Sequence, residues 1–490
     1  MPHGPPARLP PCGATGRSGG AGLQVASGNR PCIPGPGGVK QHGLLLAALG
    51  VVLVGAVAGG LSAQPPGGFG DLTRAEAIRY ITWAGVAGAA YATGLWLVLR
   101  RPSKGGALAA ILVAGLAARL LVLGAAPVLS TDIYRYVWDG RVQAAGINPY
   151  LYLPVEPALA PLRDPGTGAG AVFPNINRAD TAPTIYPPAA QALFGLTGLL
   201  GGGIWTMKGV MLAFDAATAG LLLLLLRTAG RPAAQVLVWA WNPLVIWEFA
   251  GAGHIDAMAL TFIALALLLA ARSRAGWAGL ALGVAVLTKL LPAALFPAFW
   301  RRWNVRTPLA AGLAVAAGYA AYSSAGWKVL GYLGGYAQEE QLQDGGGFLL
   351  LRLAALAGPL PGWAGTAYAA GGLALLGAVA LWVVRRPLPL PRPARVEALC
   401  QGVLLLSGTL IAVISPHYPW YLTMLVLPAA VRPSLAALWP TVAGPLLYLD
   451  FARSDVLWPA LVYIPCLALL LAAPLRRRLL PAALPTQGGP

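Results

Sequence analysis

The sequence predicts an all-α polytopic membrane protein, and three observations carry that expectation. The chain is 57% hydrophobic and only 10% charged, whereas soluble domains carry about a quarter charged residues. Apolar runs recur from residue 43 to 475, several near the ~20 residues needed to cross a bilayer as a helix. No series of short alternating strands appears, which excludes a β-barrel reading.

Residues 1–42 open the chain with Pro, Gly and Ser, bases but no acids, and no apolar core of a signal peptide. They read as a disordered cytoplasmic tail, or as translated sequence ahead of a later start codon. A single transmembrane domain is expected over 43–475, and a second short tail over 476–490. Spans are placed at 43–63, 79–99, 106–128, 205–226, 233–250, 255–271, 276–288, 290–300, 307–325, 363–384, 396–415, 419–431, 434–450 and 457–475. The pair 276–288 and 290–300 is too short for two independent spans. It reads as a broken hairpin buried among neighbours, with Lys289 at its tip.

Charge tests this layout. With the N-terminus inside, the cytoplasmic segments hold 22 of the 34 Lys and Arg residues but one of the 16 acids, Glu397. The net charge of +18 is therefore a positive-inside topology signal and not a nucleic-acid footprint. Two outer loops are long, 129–204 and 326–362. Unstructured loops of that length are uncommon unless they carry function. Within them the apolar stretches 189–200 and 348–357 are too short to cross and are expected along the membrane surface. No internal repeat of the inverted-repeat transporter kind is visible. Cys12, Cys32, Cys400 and Cys466 have no CxxC or metal spacing and read as inert thiols.

Several polar groups stand out against this background. Asp132 follows the third span at the outer interface, and Asp139 lies two helical turns on, with Arg135 on roughly the same face if 131–143 is helical. A fixed carboxylate at a membrane boundary suits a general base, although a loop cap would look the same. Glu248, His254 and Asp256 cluster in WNPLVIWEFAGAGHIDAMAL, where Asn242-Pro243 breaks the incoming helix and glycines let the chain turn. His254 and Asp256 are suited to a sugar, a metal or each other, and helix-end capping is the competing reading. Lys289 stands alone in apolar sequence, as a snorkelling lysine or as the counter-ion of a lipid phosphate. The run ISPHYPWYL offers His417, Tyr418, Trp420 and Tyr421 at another outer turn, a place where aromatic belts also occur. Tyr186, before Pro187-Pro188, is held extended.

Together DIYRYVWDGRVQAAGINPY (132–150), IYPP (185–188), WNPLVI (241–246), GHID (253–256), TK (288–289) and HYPWY (417–421) resemble the GT-C superfamily of membrane glycosyltransferases. The likeness is strongest to bacterial polyprenyl-phosphate-mannose-dependent mannosyltransferases. It implies a GT-C-type bundle of about 12–14 transmembrane helices, some broken or short, roofed by outer-face loop helices. It also implies an inverting transfer of a hexose, mannose foremost, from a polyprenyl-phosphate donor to a hydroxyl of a glycan or lipid-linked acceptor. The reaction would take place at the outer face of a bacterial plasma membrane, with both termini cytoplasmic. Membrane lipid is the surrounding partner and nucleic acid is not one. The family places an acidic base after an early span, which here corresponds to Asp132, with Asp139 as the neighbouring catalytic candidate. In this chain that loop follows the third span and not the first. The resemblance gives Lys289 the lipid phosphate, with Arg135 and Arg141 as further cations. It gives His254, Asp256, His417, Tyr418 and Tyr186 contacts to the donor. It names no certain cofactor and needs no nucleotide sugar, and assistance by a divalent metal is left open. Two rivals are a flippase of a lipid-linked sugar, which would show repeats and alternating access, and an O-antigen-ligase-like transferase, whose chemistry would sit in one late outer loop.

Overall fold

A computed structural model describes residues 36–63, 73–100, 106–331 apart from 165, 167 and 302, then 335, 341, 345–450 and 455–479. The N-terminal tail through residue 35, Arg101, Lys104, Arg302, Glu339, Glu340, Asp344 and the end of the chain from 480 lie outside the described residues. Within the described residues the chain is helical and contains no strand, as the composition predicts.

Three helices open the bundle: α1 (Pro36–Gly60), α2 (Arg74–Arg100) and α3 (Gly106–Leu123). The first outer loop then folds into α4 (Asp132–Ala144) and α5 (Pro188–Leu199), joined by short 3-10 turns. These two cross at glycines. A Cβ on Gly198 would lie 2.1 Å from the Gly140 carbonyl oxygen, so only glycine lets the backbones touch. α6 (Ile204–Thr228) returns to the core and pairs with the helix Asp256–Ala271 through the Thr218 and Thr261 hydroxyls, 2.8 Å apart.

Six described helices are long and apolar enough to cross a membrane, or seven if the bent pair Pro243–Gly251 and Asp256–Ala271 is one span. The expected spans 276–288, 419–431, 434–450 and 457–475 are present as shorter apolar helices, whereas 290–300 folds as Leu291–Leu295 and Phe296–Phe299 and 307–325 as Arg306–Ala320. Prolines account for the breaks, because proline lacks an amide donor and clashes with the preceding turn. Pro243 starts a new helix whose Asn242 cap accepts from the Leu244 and Val245 amides. Pro292 follows the extended Lys289, which ends the helix Ala275–Thr288. Pro419 follows the break after Arg392–Ile414. The peripheral helix Ala364–Arg385 is only 6% buried over its apolar window, as a lipid-facing helix would be.

Buried ions fasten this bundle where no water can. Arg119 of α3 meets Asp215 of α6 at 2.5 Å, and Trp239 donates to the same carboxylate at 2.7 Å. Arg119 also donates to the Ala240 and Gly115 carbonyls at 2.6 and 3.0 Å. Lys208 is fully buried and donates to the Val122 and Ala125 carbonyls at 2.9 and 2.5 Å. It thereby caps the C-terminal end of α3, where the helix dipole favours a cation.

Candidate active site

Four breaks in helical regularity meet at one end of the bundle. They are the start of α4, the bend at 251–256, the break after Thr288 and the turn at 414–423. Each frees a side chain that a continuous helix would have sent elsewhere. At Gly253 the φ of +76° and a would-be Cβ 2.5 Å from Ile133 require glycine. That turn brings His254 against the start of α4.

Asp132 begins α4 with its side chain 17% exposed. Asn177 donates to its Oδ1 at 2.7 Å, and its Oδ2 lies 3.8 Å from His254 Nδ1. His254 is fully buried, and its Nε2 lies 3.3 Å from Glu248 Oε2. Neither contact of the ring has hydrogen-bond geometry. Glu248 is anchored on its other oxygen by the Tyr448 hydroxyl at 2.9 Å. The imidazole thus stands between two carboxylates, one buried and one reachable from outside. Trp420 stacks on His254 at 4.1 Å between centroids and on Tyr418 at 4.4 Å. Both faces of the indole are covered, so Trp420 is a spacer between His254 and the half-buried Tyr418.

Lys289 is not alone, which corrects the sequence reading. Its ammonium donates to both oxygens of Asp256 at 2.8 and 3.0 Å and lies 4.4 Å from the Tyr421 ring centroid. The two partners are 33 residues apart in sequence, and only the meeting of two helix breaks joins them. The pair keeps partial access, with side chains 18% and 11% exposed. An ammonium has three donors, so one remains for a further acceptor. The Tyr136 hydroxyl closes this corner, 3.4 Å from the Ile255 amide that donates to it.

The remaining candidates serve the walls. Arg135 is buried and uses all three guanidinium nitrogens, on Asp139 at 3.1 Å and on the carbonyls of Asn177, Arg178, Ala182 and Pro183. Asp139 also accepts from Thr184 at 2.6 Å and Gln191 at 2.8 Å. Burial raises its carboxyl above the ordinary range even though Arg135, Thr184 and Gln191 act against that. Arg135 and Asp139 therefore tie α4 to the stretch 177–191. Tyr186 is buried edge-on to Tyr136, and its carbonyl accepts from the Tyr150 hydroxyl at 2.7 Å. His417 lies 3.6 Å from Asp450, which also meets Arg352 at 3.4 Å.

Arg141 grips Asp164 at 2.8 and 2.9 Å, and the Val172 and Phe173 amides donate to the same carboxylate at 2.6 and 3.0 Å. Burial opposes the charge there, but these donors prevail and the carboxyl is lowered. A lowered folded value stabilises the fold above the unfolded value and fades as pH falls through the folded one. Asp164→Asn is therefore expected to cost about 1 kcal/mol at neutral pH. In thermal unfolding in detergent, the gap from wild type should persist down to about pH 4 and close below the ordinary carboxylate value of about 3.9. A gap of undiminished size at pH 2 would assign the loss to packing.

Among the described residues no three His, Cys, Asp or Glu side chains are arranged to hold a metal ion. Glu248, Trp420 and Tyr421 had visible signals, being part of the quoted runs. Asn177, Arg352 and Asp450 had none, because their roles arise from long-range contacts.

A family model described as alpha-(1->6)-mannopyranosyltransferase, N-terminal domain, of the MptA_B family, matches residues 41–304. The match takes in Asp132, Asp139, Tyr186, His254, Asp256 and Lys289, and stops before His417. No curated protein and no solved structure matches the chain.

Proposed function

The chain belongs to the MptA_B family of alpha-(1->6)-mannopyranosyltransferases, and from that premise we propose how and where it transfers mannose. It is a GT-C-type membrane mannosyltransferase. The proposed donor is a polyprenyl-phosphate mannose, the proposed acceptor a mannan hydroxyl, and the proposed place the outer face of the membrane. The observation that carries this reading is the pairing of a reachable carboxylate with a reachable cation at one bundle end, Asp132 beside His254 and Lys289 on Asp256.

In the proposed reaction the acceptor oxygen attacks C1 of mannose while the bond from C1 to the phosphate oxygen breaks. The acceptor proton passes to Asp132, and the phosphate leaves with the bonding electron pair. Inversion to an α-linked product requires a β-linked donor. Asn177 fixes Asp132 on one oxygen and leaves the other toward the site, which positions it as a general base. His254 faces that second oxygen and is itself backed by Glu248 and Tyr448. Lys289 directs its remaining donor at the leaving phosphate, where charge develops and a fixed cation gains most. Asp256 orients Lys289 through both of its carboxylate oxygens. Arg135, Asp139 and Arg141 hold the loop that presents Asp132, and His417 with Arg352 and Asp450 supports the opposite wall.

A donor comparison tests this reading. The purified protein is given labelled polyprenyl-phosphate mannose or labelled nucleotide mannose with a short mannan acceptor. Transfer from the lipid donor alone is expected. Transfer from the nucleotide sugar alone would overturn the donor assignment.

A further inference from the structure

A cavity runs along the helix Arg392–Ile414, lined by none of the candidate active-site side chains. Its volume is about 530 Å³, and the helices Arg392–Ile414, Thr423–Val431, Leu435–Ala443 and Leu457–Leu479 enclose it. The wall is apolar, formed by residues such as Leu405, Ile411, Leu425 and Leu467, and the mouth is polar, formed by Arg231, Glu397, Gln401, Arg432 and Ser434. Glu397 to Ala412 covers roughly 22 Å of helix at 1.5 Å per residue, most of one side of a hydrocarbon core of about 30 Å.

We infer that this cavity seats an anionic phospholipid, its phosphodiester at Arg432 and one acyl chain along the helix Arg392–Ile414. Charge selects this occupant. Arg231 is neutralised by Glu397 at 2.5 Å. Arg432 is half-buried, and no ion pair engages it among the described residues. Among the described residues that line it, the mouth therefore carries one uncompensated positive charge. A phosphodiester carries one negative charge, whereas a phosphate monoester carries ~1.5 to 2 at neutral pH. Basic pockets between transmembrane helices at a membrane face are where anionic lipid head groups dock. The chain completes the fit, because an apolar wall this deep would be left uncovered by a free anion. The inner end of the cavity reaches Tyr463, whose hydroxyl donates to the Pro416 carbonyl at 2.5 Å. The seated chain would thus lie against the residue that anchors the turn beside His417. This inference is independent of the donor and of the assignment of Asp132.

Native mass spectrometry of the full protein tests it, with phosphatidylglycerol and zwitterionic phosphatidylcholine titrated separately. Phosphatidylglycerol should be retained at least about fivefold more strongly, and Arg432→Gln should abolish the preference. Gly408→Trp should lower retention of both lipids, since a Cβ there meets nothing within 4 Å and the indole would fill the cavity without disturbing its neighbours. Equal retention of both lipids by wild type would overturn the inference. So would unchanged retention by Gly408→Trp, or displacement of the lipid by millimolar inorganic phosphate. A preference for a polyprenyl phosphate over phosphatidylglycerol would overturn the phosphodiester assignment.

Discussion

Asp132→Asn is expected to lower mannosyl transfer by about 10²- to 10⁴-fold, the usual contribution of a general base. The substitution keeps side-chain volume and keeps an oxygen for the Asn177 donor at 2.7 Å. It removes only the ability to take a proton. Because Asp132 would touch the acceptor and not the lipid phosphate, kcat should fall while KM for the donor holds. Asp139→Asn is the control. That carboxylate is only 1% exposed and is held by Arg135, Thr184 and Gln191, so its loss should reduce the folded fraction and leave transfer per folded molecule near wild type. Full transfer by Asp132→Asn would remove Asp132 as the base, and a kinetic loss confined to Asp139→Asn would reverse the two roles.

The second large effect is on stability. Asp215→Leu should destabilise the bundle by about 3–5 kcal/mol, because it strands the Arg119 guanidinium in an apolar interior. Arg119 and Asp215 are 7% and 1% exposed as side chains, so little water can compensate. Replacing both, as Arg119→Met with Asp215→Leu, should recover most of the loss, since no unpaired charge then remains. Equilibrium unfolding in mixed detergent micelles measures both variants. A double variant as unstable as the single one would show that the pair acts through Trp239 and the Ala240 carbonyl, which it also holds.

What the sequence made legible follows from periodicity and proline. Apolar runs located the long helices, and Asn242-Pro243 announced a break that the structure contains. The conditional helix at 131–143 is present as Asp132–Ala144. Partnership was not legible. Lys289 and Asp256 were both conspicuous, yet nothing local says that they pair. Arg135 and Arg141 looked like phosphate ligands because cations in an outer loop invite that reading. In the structure they hold Asp139 and Asp164, carboxylates whose positions only the folded loop defines. Arg119 was visible as the one charge in an apolar stretch, whereas Asp215, 96 residues on, gave no sign of being its counter-ion. Asn177 escaped notice for the same reason, since an amide in a loop carries no signal until a carboxylate is brought to it.

The most direct measurement is a structure of the protein with a non-hydrolysable polyprenyl-phosphate mannose analogue bound. The donor phosphate is expected within about 3 Å of Lys289 Nζ, with C1 of the sugar facing the side from which an acceptor hydroxyl reaches Asp132. A donor seated with its phosphate away from Lys289 and its sugar out of reach of Asp132 and His254 would contradict the assignment of this bundle end as the active site.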